Sequence, residues 1–427
     1  MTLPSRRALV AVLLAAAALL AAVVVLEQRD EAPLPDTPAS ATPPSAAQIE
    51  RGRYLALAGN CAACHTARGG SPYAGGPGLA TPFGTVFASN LTPHMQTGIG
   101  AWTSAHFWQA LHHGRSRDGR LLYPAFPYPS YTQVTRQDAD ALFAYLGSLP
   151  AVAKANRPHA LRFPYDSQFA LRVWRALFFT PGVYQADTGK SAEWNRGAYL
   201  VRGLGHCVAC HAERNALGAT SEKLELSGGL IPMQNWYAPA LGSPAEAGVA
   251  DWELPHVVEL LKTGRAPRAS VQGPMAEVVY LSTQHLSQPD LQAIAVFLKA
   301  LPQTPAPPAH KPIERDAAQL ARGAKLYEQH CADCHGDSGQ GAAPAYRALA
   351  GNRAVTLFSP ANLIHVVLGG GFAPATAGNP RPYGMPPFLQ VLSDADIAAV
   401  LSHIRASWGN EAEPVSAVQV LRLRGGE

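Results

Sequence analysis

Three times along the chain, apolar residues recur at helical spacing behind the same polar start. Thr135-x-x-Asp138 precedes Leu142, Phe143 and Leu146. Ser287-x-x-Asp290 precedes Leu291, Ile294, Phe297 and Leu301, and Ser393-x-x-Asp396 precedes Ile397, Val400, Leu401 and Ile404. A hydroxyl followed three positions later by a carboxylate resembles a capping box. The spacing behind it predicts an amphipathic helix in each copy, and Leu149-Pro150 and Leu301-Pro302 close the first two. Upstream of each lies a second apolar helix with an early Arg-Gly: Arg51-Gly52, Arg196-Gly197 and Arg322-Gly323. Large residues follow, Tyr54 and Leu55, Tyr199 and Leu200, Leu326 and Tyr327. Glycine inside a helix costs roughly 1 kcal/mol against alanine. Close packing against another helix is its expected reason.

Ahead of the repeats, Arg6-Arg7 precede an uncharged apolar run, Ala8 to Leu26, closed by Glu27, Arg29 and Asp30. Its 19 residues exceed the roughly 7–15 of a signal-peptide core and approach the roughly 20 that span a bilayer. A signal-anchor is expected, with a cleaved signal peptide as the alternative. Residues 27–47, rich in Pro, Ala and Thr, read as an extended tether. The rest suits three domains: 48–150, 191–302 and 314–409, with linkers 151–190 and 303–313 and a tail 410–427. The formal charge is +4. The basic residues are scattered, without a stripe or interleaved aromatics, so no nucleic-acid partner is expected.

Cysteine usage brings in the chemistry. All six cysteines fall in three copies of one pentapeptide: Cys61-Ala-Ala-Cys64-His65, Cys207-Val-Ala-Cys210-His211 and Cys331-Ala-Asp-Cys334-His335. C-x-x-C-H is the attachment signature of haem c. The two thiols add across the porphyrin vinyl groups, and the adjacent imidazole becomes the proximal iron ligand. A redox dithiol needs no histidine at that offset, and a zinc site would leave one of three pairs stranded. Three covalently bound haems c are expected, in an all-α chain of three tandem class I cytochrome c domains. Haem is attached to this motif outside the bacterial cytoplasmic membrane, which implies the periplasmic face of the inner membrane.

The distal ligand is sought between each haem motif and its closing helix. Met385, in Tyr383-Gly-Met385-Pro386-Pro387-Phe388, and Met275, in Gly273-Pro274-Met275-Ala276-Glu277, fit the thioether ligand of high-potential cytochromes c. The first copy has the loop Leu122-Tyr-Pro-Ala-Phe126-Pro-Tyr-Pro129, and phenylalanine cannot ligate iron. Met95 is the candidate there, with His94, His112, His113 or an open or water-bound iron as the alternatives.

These residues, together with Thr81-Pro-Phe-Gly-Thr85, Asn90-Leu-Thr-Pro93, Thr97-Gly-Ile-Gly100, Phe178-Phe179-x-Pro181-Gly182, Ala192 to Leu200, Trp236-Tyr-Ala-Pro239 and Ser407-Trp408-Gly409, resemble the tri-haem cytochrome c subunits of membrane-bound bacterial dehydrogenases. That family serves alcohol, gluconate, sorbitol and aldehyde dehydrogenases. The resemblance implies an electron-transfer subunit, not an enzyme. Its partners would be a catalytic dehydrogenase subunit with a flavin, quinone or molybdenum cofactor, and ubiquinone or a terminal oxidase as acceptor. Met275 and Met385 fall on the family's axial methionines, whereas Phe126 departs from it. Relatives serving molybdopterin-type hydroxylases share such a phenylalanine, which gives an alternative partner. A haem enzyme acting at haem 1 is the remaining alternative. Gly114-Arg115 behind His112-His113 repeats as Gly264-Arg265 in the second copy, so that histidine pair is read as structural.

Overall fold

The computed structural model describes residues 43–220, 225–304, 314–343 and 345–425, with scattered positions between 6 and 25. About half of the expected anchor and most of the tether lie outside the described residues. Among the described residues no helix is long and apolar enough to cross a membrane. The chain forms two compact units: Met1–Ala56 with Cys61–Gln185, and Leu57–Asn60 with Ala186–Glu427. The second unit holds two of the sequence repeats.

Each repeat builds a crossed pair of helices. Ala46–Ala58 crosses Arg136–Gly147, Ala192–Tyr199 crosses Gln288–Lys299, and Ala317–His330 crosses Asp394–Ala406. The crossing point is the Arg-Gly pair. A Cβ on Gly52 would stand 1.9 Å from the Ala141 carbonyl oxygen, on Gly197 2.0 Å from that of Ala293, and on Gly323 2.1 Å from that of Ala399. Any side chain there would force the helices apart, which answers why a costly residue occupies all three positions. The preceding arginine then reaches the closing helix. Arg51 Nε donates to Asp138 at 2.8 Å, Arg196 grips both oxygens of Asp290 at 2.7 Å, and Arg322 Nε reaches Asp396 at 2.9 Å.

Those aspartates are the third residues of the predicted helix starts. Thr135 accepts the backbone N–H of Asp138 and Ser287 that of Asp290, while Ser393 and Asp396 close the reciprocal box. The predicted stripe is buried on each closing helix: Leu142 and Leu146, Leu291 and Phe297, Ile397 and Leu401.

Strand content is small. Gly78–Thr81 and Gly84–Phe87 form an antiparallel hairpin extended by Ala160–Leu161, and a two-residue pair joins Gly371–Phe372 to Gly384–Met385. Two stretches read as linker and tail are more ordered than expected. Residues 151–190 contain the helix Gln168–Phe178, whose buried Arg175 donates to the His113 carbonyl. The tail holds the helix Ala417–Arg424, and Val415 and Val420 sit in the third core. The first of these helices carries apolar residues at helical spacing, Leu171, Trp174 and Phe178, a signal that the linker reading misses.

Candidate haem sites

The three C-x-x-C-H motifs lie on short helices, Cys61–His65, Val208–His211 after Cys207, and Ala332–His335 after Cys331. One helical turn presents the two thiols on one side and aims the imidazole from the next position. A five-residue π-helical segment, Leu200–Leu204, delivers the chain to the second motif, an irregularity that often marks a functional position.

The loop that orients each proximal histidine follows from its sequence. His65 Nδ1 donates to the Ser89 carbonyl at 2.7 Å, and His211 Nδ1 to that of Pro239 at 2.7 Å. The bond fixes the tautomer, so Nε2 is left with the lone pair that binds a metal. Asn90 locks the Ser89 loop. Buried, it accepts both the N–H and hydroxyl of Thr92 and donates to the Val152 carbonyl at 2.8 Å. Glu246 locks the second loop by accepting from the Tyr237 hydroxyl at 2.9 Å and the Ala240 N–H at 2.8 Å. His335 Nδ1 is buried and faces the Arg347 backbone, outside ideal hydrogen-bond geometry.

Electrostatics favour the ligand form. Burial lowers the pKa of His65, His211 and His335, which keeps the imidazoles neutral. Burial also pushes the Cys61 and Cys207 thiols up to about 12 and Cys331 to about 11. An apolar setting that penalises thiolate suits the neutral thioether that haem attachment leaves. No disulfide forms among the six cysteines. Paired thiols, neutral imidazoles, two of them with oriented tautomers, and an apolar surround fit haem c.

On the distal side, Met385 packs with Cys331, Phe388 and Trp408 against the third core. Its loop is held by Phe388 N–H and Leu389 N–H, which donate to the Val367 and Leu368 carbonyls at 3.0 and 3.1 Å. Met275 is partly buried on the first turn of Pro274–Leu281. Met95 is placed differently. It is 66% exposed, and ligation would require it to turn inward from the surface. Phe126 packs against Tyr131, a buried ring whose ionisation burial opposes first and the nearby Cys61 and Cys64 oppose further. Sequence reasoning misses that tyrosine, since nothing in its spacing marks it.

The histidine alternatives have structural duties. His94 Nδ1 is 2.9 Å from the Thr97 hydroxyl. His112 Nδ1 donates to the Thr132 carbonyl at 2.7 Å and its ring stacks on Trp108. The equivalent residue of the second copy, Lys262, donates to the Leu286 carbonyl at 2.9 Å. Both tie the end of one helix to the turn before the closing helix. His113, beside Arg175 and Arg115, has a pKa lowered to about 4, chiefly by burial.

The cytochrome c family model matches residues 49–150 and 320–408. The cytochrome c subunit of a quinone alcohol dehydrogenase from Gluconacetobacter polyoxogenes is 37% identical over 409 residues, 92% of this chain and 87% of that relative. The gluconate 2-dehydrogenase cytochrome c subunit of Pantoea cypripedii is 37% identical over 404 residues, 89% of this chain and 90% of its own length. A nicotinate dehydrogenase polypeptide of Pseudomonas putida is 42% identical over 381 residues, which cover 86% of this chain but 31% of that relative. The chain belongs to the cytochrome c subunits of bacterial dehydrogenase complexes, whose role is electron transfer and not substrate catalysis.

Proposed function

We propose that this chain carries three haems c in three domains (48–150, 191–302 and 314–409) and passes electrons from a periplasmic dehydrogenase subunit to ubiquinone or a terminal oxidase. The observation that carries the reading is the threefold Cys-x-x-Cys-His turn, with the first two imidazoles donating Nδ1–H to a loop carbonyl at 2.7 Å. Each haem supplies a one-electron couple. The chain's residues hold and tune it. Cys61 and Cys64, Cys207 and Cys210, and Cys331 and Cys334 fix the porphyrin edges, and His65, His211 and His335 are the proximal ligands. Met275 and Met385 are the distal ligands, whose thioethers favour the ferrous state and raise the potential. Haem 1, with Phe126 in place of methionine, differs from the other two. Its sixth ligand is a histidine or water unless Met95 turns inward.

The proposed location is the periplasmic face of the inner membrane, through the N-terminal apolar run. The alcohol- and gluconate-oxidising relatives suggest a catalytic partner for alcohol, polyol, aldehyde or sugar-acid oxidation. A second reading, service to a molybdopterin-type hydroxylase, has the nicotinate dehydrogenase relative in its favour. Affinity purification of the tagged chain from solubilised membranes tests both. A co-purifying oxidoreductase whose substrate reduces the haems is expected, and its cofactor decides between the readings. Purification alone, with haems that no dehydrogenase substrate reduces, overturns the proposal.

A further inference from the structure

Within the second unit, an aromatic contact joins the second and third copies. The Trp236 and His365 rings stack nearly parallel, 15° apart in plane, with centroids 4.9 Å apart. This is an offset-stack geometry. The residues around it are clamped. Asn362, one turn before His365, pairs with both backbone groups of Tyr237: it accepts the N–H at 2.8 Å and donates to the carbonyl at 2.7 Å. On the other side of Trp236, the Asn235 carbonyl accepts from His365 Nε2 at 3.2 Å. Positions i and i+3 of one helix face therefore grip the three residues 235–237. A second contact holds the rotation, with Arg265 donating to Asn379 at 2.9 Å and the Thr376 hydroxyl to the Thr263 carbonyl at 3.2 Å.

Both rings belong to segments that serve the haem sites. Trp236 lies three residues before Pro239, whose carbonyl orients His211. Its six-membered ring also covers Gly273, where an added Cβ would stand 2.7 Å from it. Gly273 opens the turn that presents Met275. Trp236 thus touches the distal loop and leads into the proximal loop of the second site. His365 sits on the helix Ala361–Gly369, whose last carbonyls hold the chain behind Met385. A Cβ on the adjacent Gly370 would stand 2.4 Å from the Met385 carbonyl.

We propose that the Trp236–His365 stack couples the second and third haems by carrying the electron between them. The inference rests on the three-haem reading above. One electron leaves a ferrous haem and reduces the ferric one; the two rings provide the contact and are not themselves oxidised. Both rings stay uncharged at neutral pH, since burial lowers the His365 pKa. No proton need accompany the transfer.

The test uses the full-length holoprotein with one electron injected by flash photoreduction, and follows redistribution among the haems in the α-band. Trp236→Leu and His365→Leu are expected to slow redistribution several-fold, and His365→Leu to do so with haem potentials and methionine-ligation bands unchanged. Trp236→Phe and His365→Phe are expected to restore most of the rate, because they keep a ring in the contact. A structural role alone would leave aromatic and aliphatic variants alike. Asn362→Ala, which loosens the clamp but keeps both rings, is expected to give an intermediate loss. Unchanged rates in the leucine variants, or equal slowing in the phenylalanine variants, overturn the coupling role while the three-haem reading stands. A holoprotein lacking the second or third haem overturns both.

Discussion

Gly197 lies so close to the Ala293 carbonyl that a Cβ would stand 2.0 Å from its oxygen, and Arg196 beside it holds both oxygens of Asp290 at 2.7 Å. The close glycine and an arginine–aspartate pair, there through one carboxylate oxygen, recur at Arg51-Gly52 and Arg322-Gly323. One dipeptide thus sets both the approach and the register of each helix crossing.

Replacing that glycine should therefore separate the helices. Gly197→Ala gains up to about 1 kcal/mol of helix propensity but must push back a backbone carbonyl. Overpacking of this kind costs about 1–3 kcal/mol, and rigid backbone places it at the upper end. Denaturant unfolding of the holoprotein should show a net loss. Gly197→Ala at or above wild-type stability would refute the close-packing explanation.

The arginine contact is predicted to matter most in the first copy, where the Asp138 side chain is 2% exposed. Arg51→Ala strands a buried carboxylate, and breaking a buried pair costs about 3–5 kcal/mol. Water reaching Arg51, 47% exposed, reduces this to about 1–3 kcal/mol. Asp138→Asn in the same background should recover part of the loss, since the uncompensated charge is removed. Additive effects in the double-mutant cycle would show that the pair is not coupled.

Asp396 gives the third crossing a pH dependence. Its carboxyl is held below the ordinary range, foremost by the Ser393 hydroxyl, against burial, and further by Arg322. A depressed folded pKa contributes stability that is complete above the unfolded value near 3.9. That contribution fades as pH falls through the lower folded value. Acid unfolding of Ser393→Ala should show a smaller drop in stability below about pH 4 than wild type; identical acid limbs would remove this carboxylate from the account.

The repeats themselves are legible from residue pattern, because capping hydroxyls, helical periodicity and C-x-x-C-H are local signals. Arg51 and Asp138 are each visible in the sequence, but their pairing is not, being a contact across 87 positions. For the same reason Tyr131, Asn362 and the Trp236–His365 stack escape notice: each matters only through neighbours distant in sequence. The helices Gln168–Phe178 and Ala417–Arg424 lie in stretches whose pattern reads as linker and tail. Gln168–Phe178 has its own helical spacing, Leu171, Trp174 and Phe178, which the linker reading misses, whereas Ala417–Arg424 spans only about two turns.

Distal ligation is predicted to separate the three proposed haems. Met275→Ala and Met385→Ala are each expected to convert one haem to high spin or a substitute ligand and lower its potential. The ferric methionine–iron charge-transfer band should weaken in each and vanish in the double variant. Met95, being exposed, should be silent as Met95→Ala. Phe126→Met should add methionine character to haem 1. A haem 1 band lost on Met95→Ala would show that Met95 turns inward after all.

The central claim is that each of the three cysteine pairs holds a haem. Pyridine haemochrome assay of the mature protein, normalised to chain by intact mass, tests it directly. Three haems per chain are expected, with the mass raised by three covalent haem groups and no free thiol detected after unfolding. Two haems or fewer after full maturation, or a reactive cysteine pair remaining, would contradict the account.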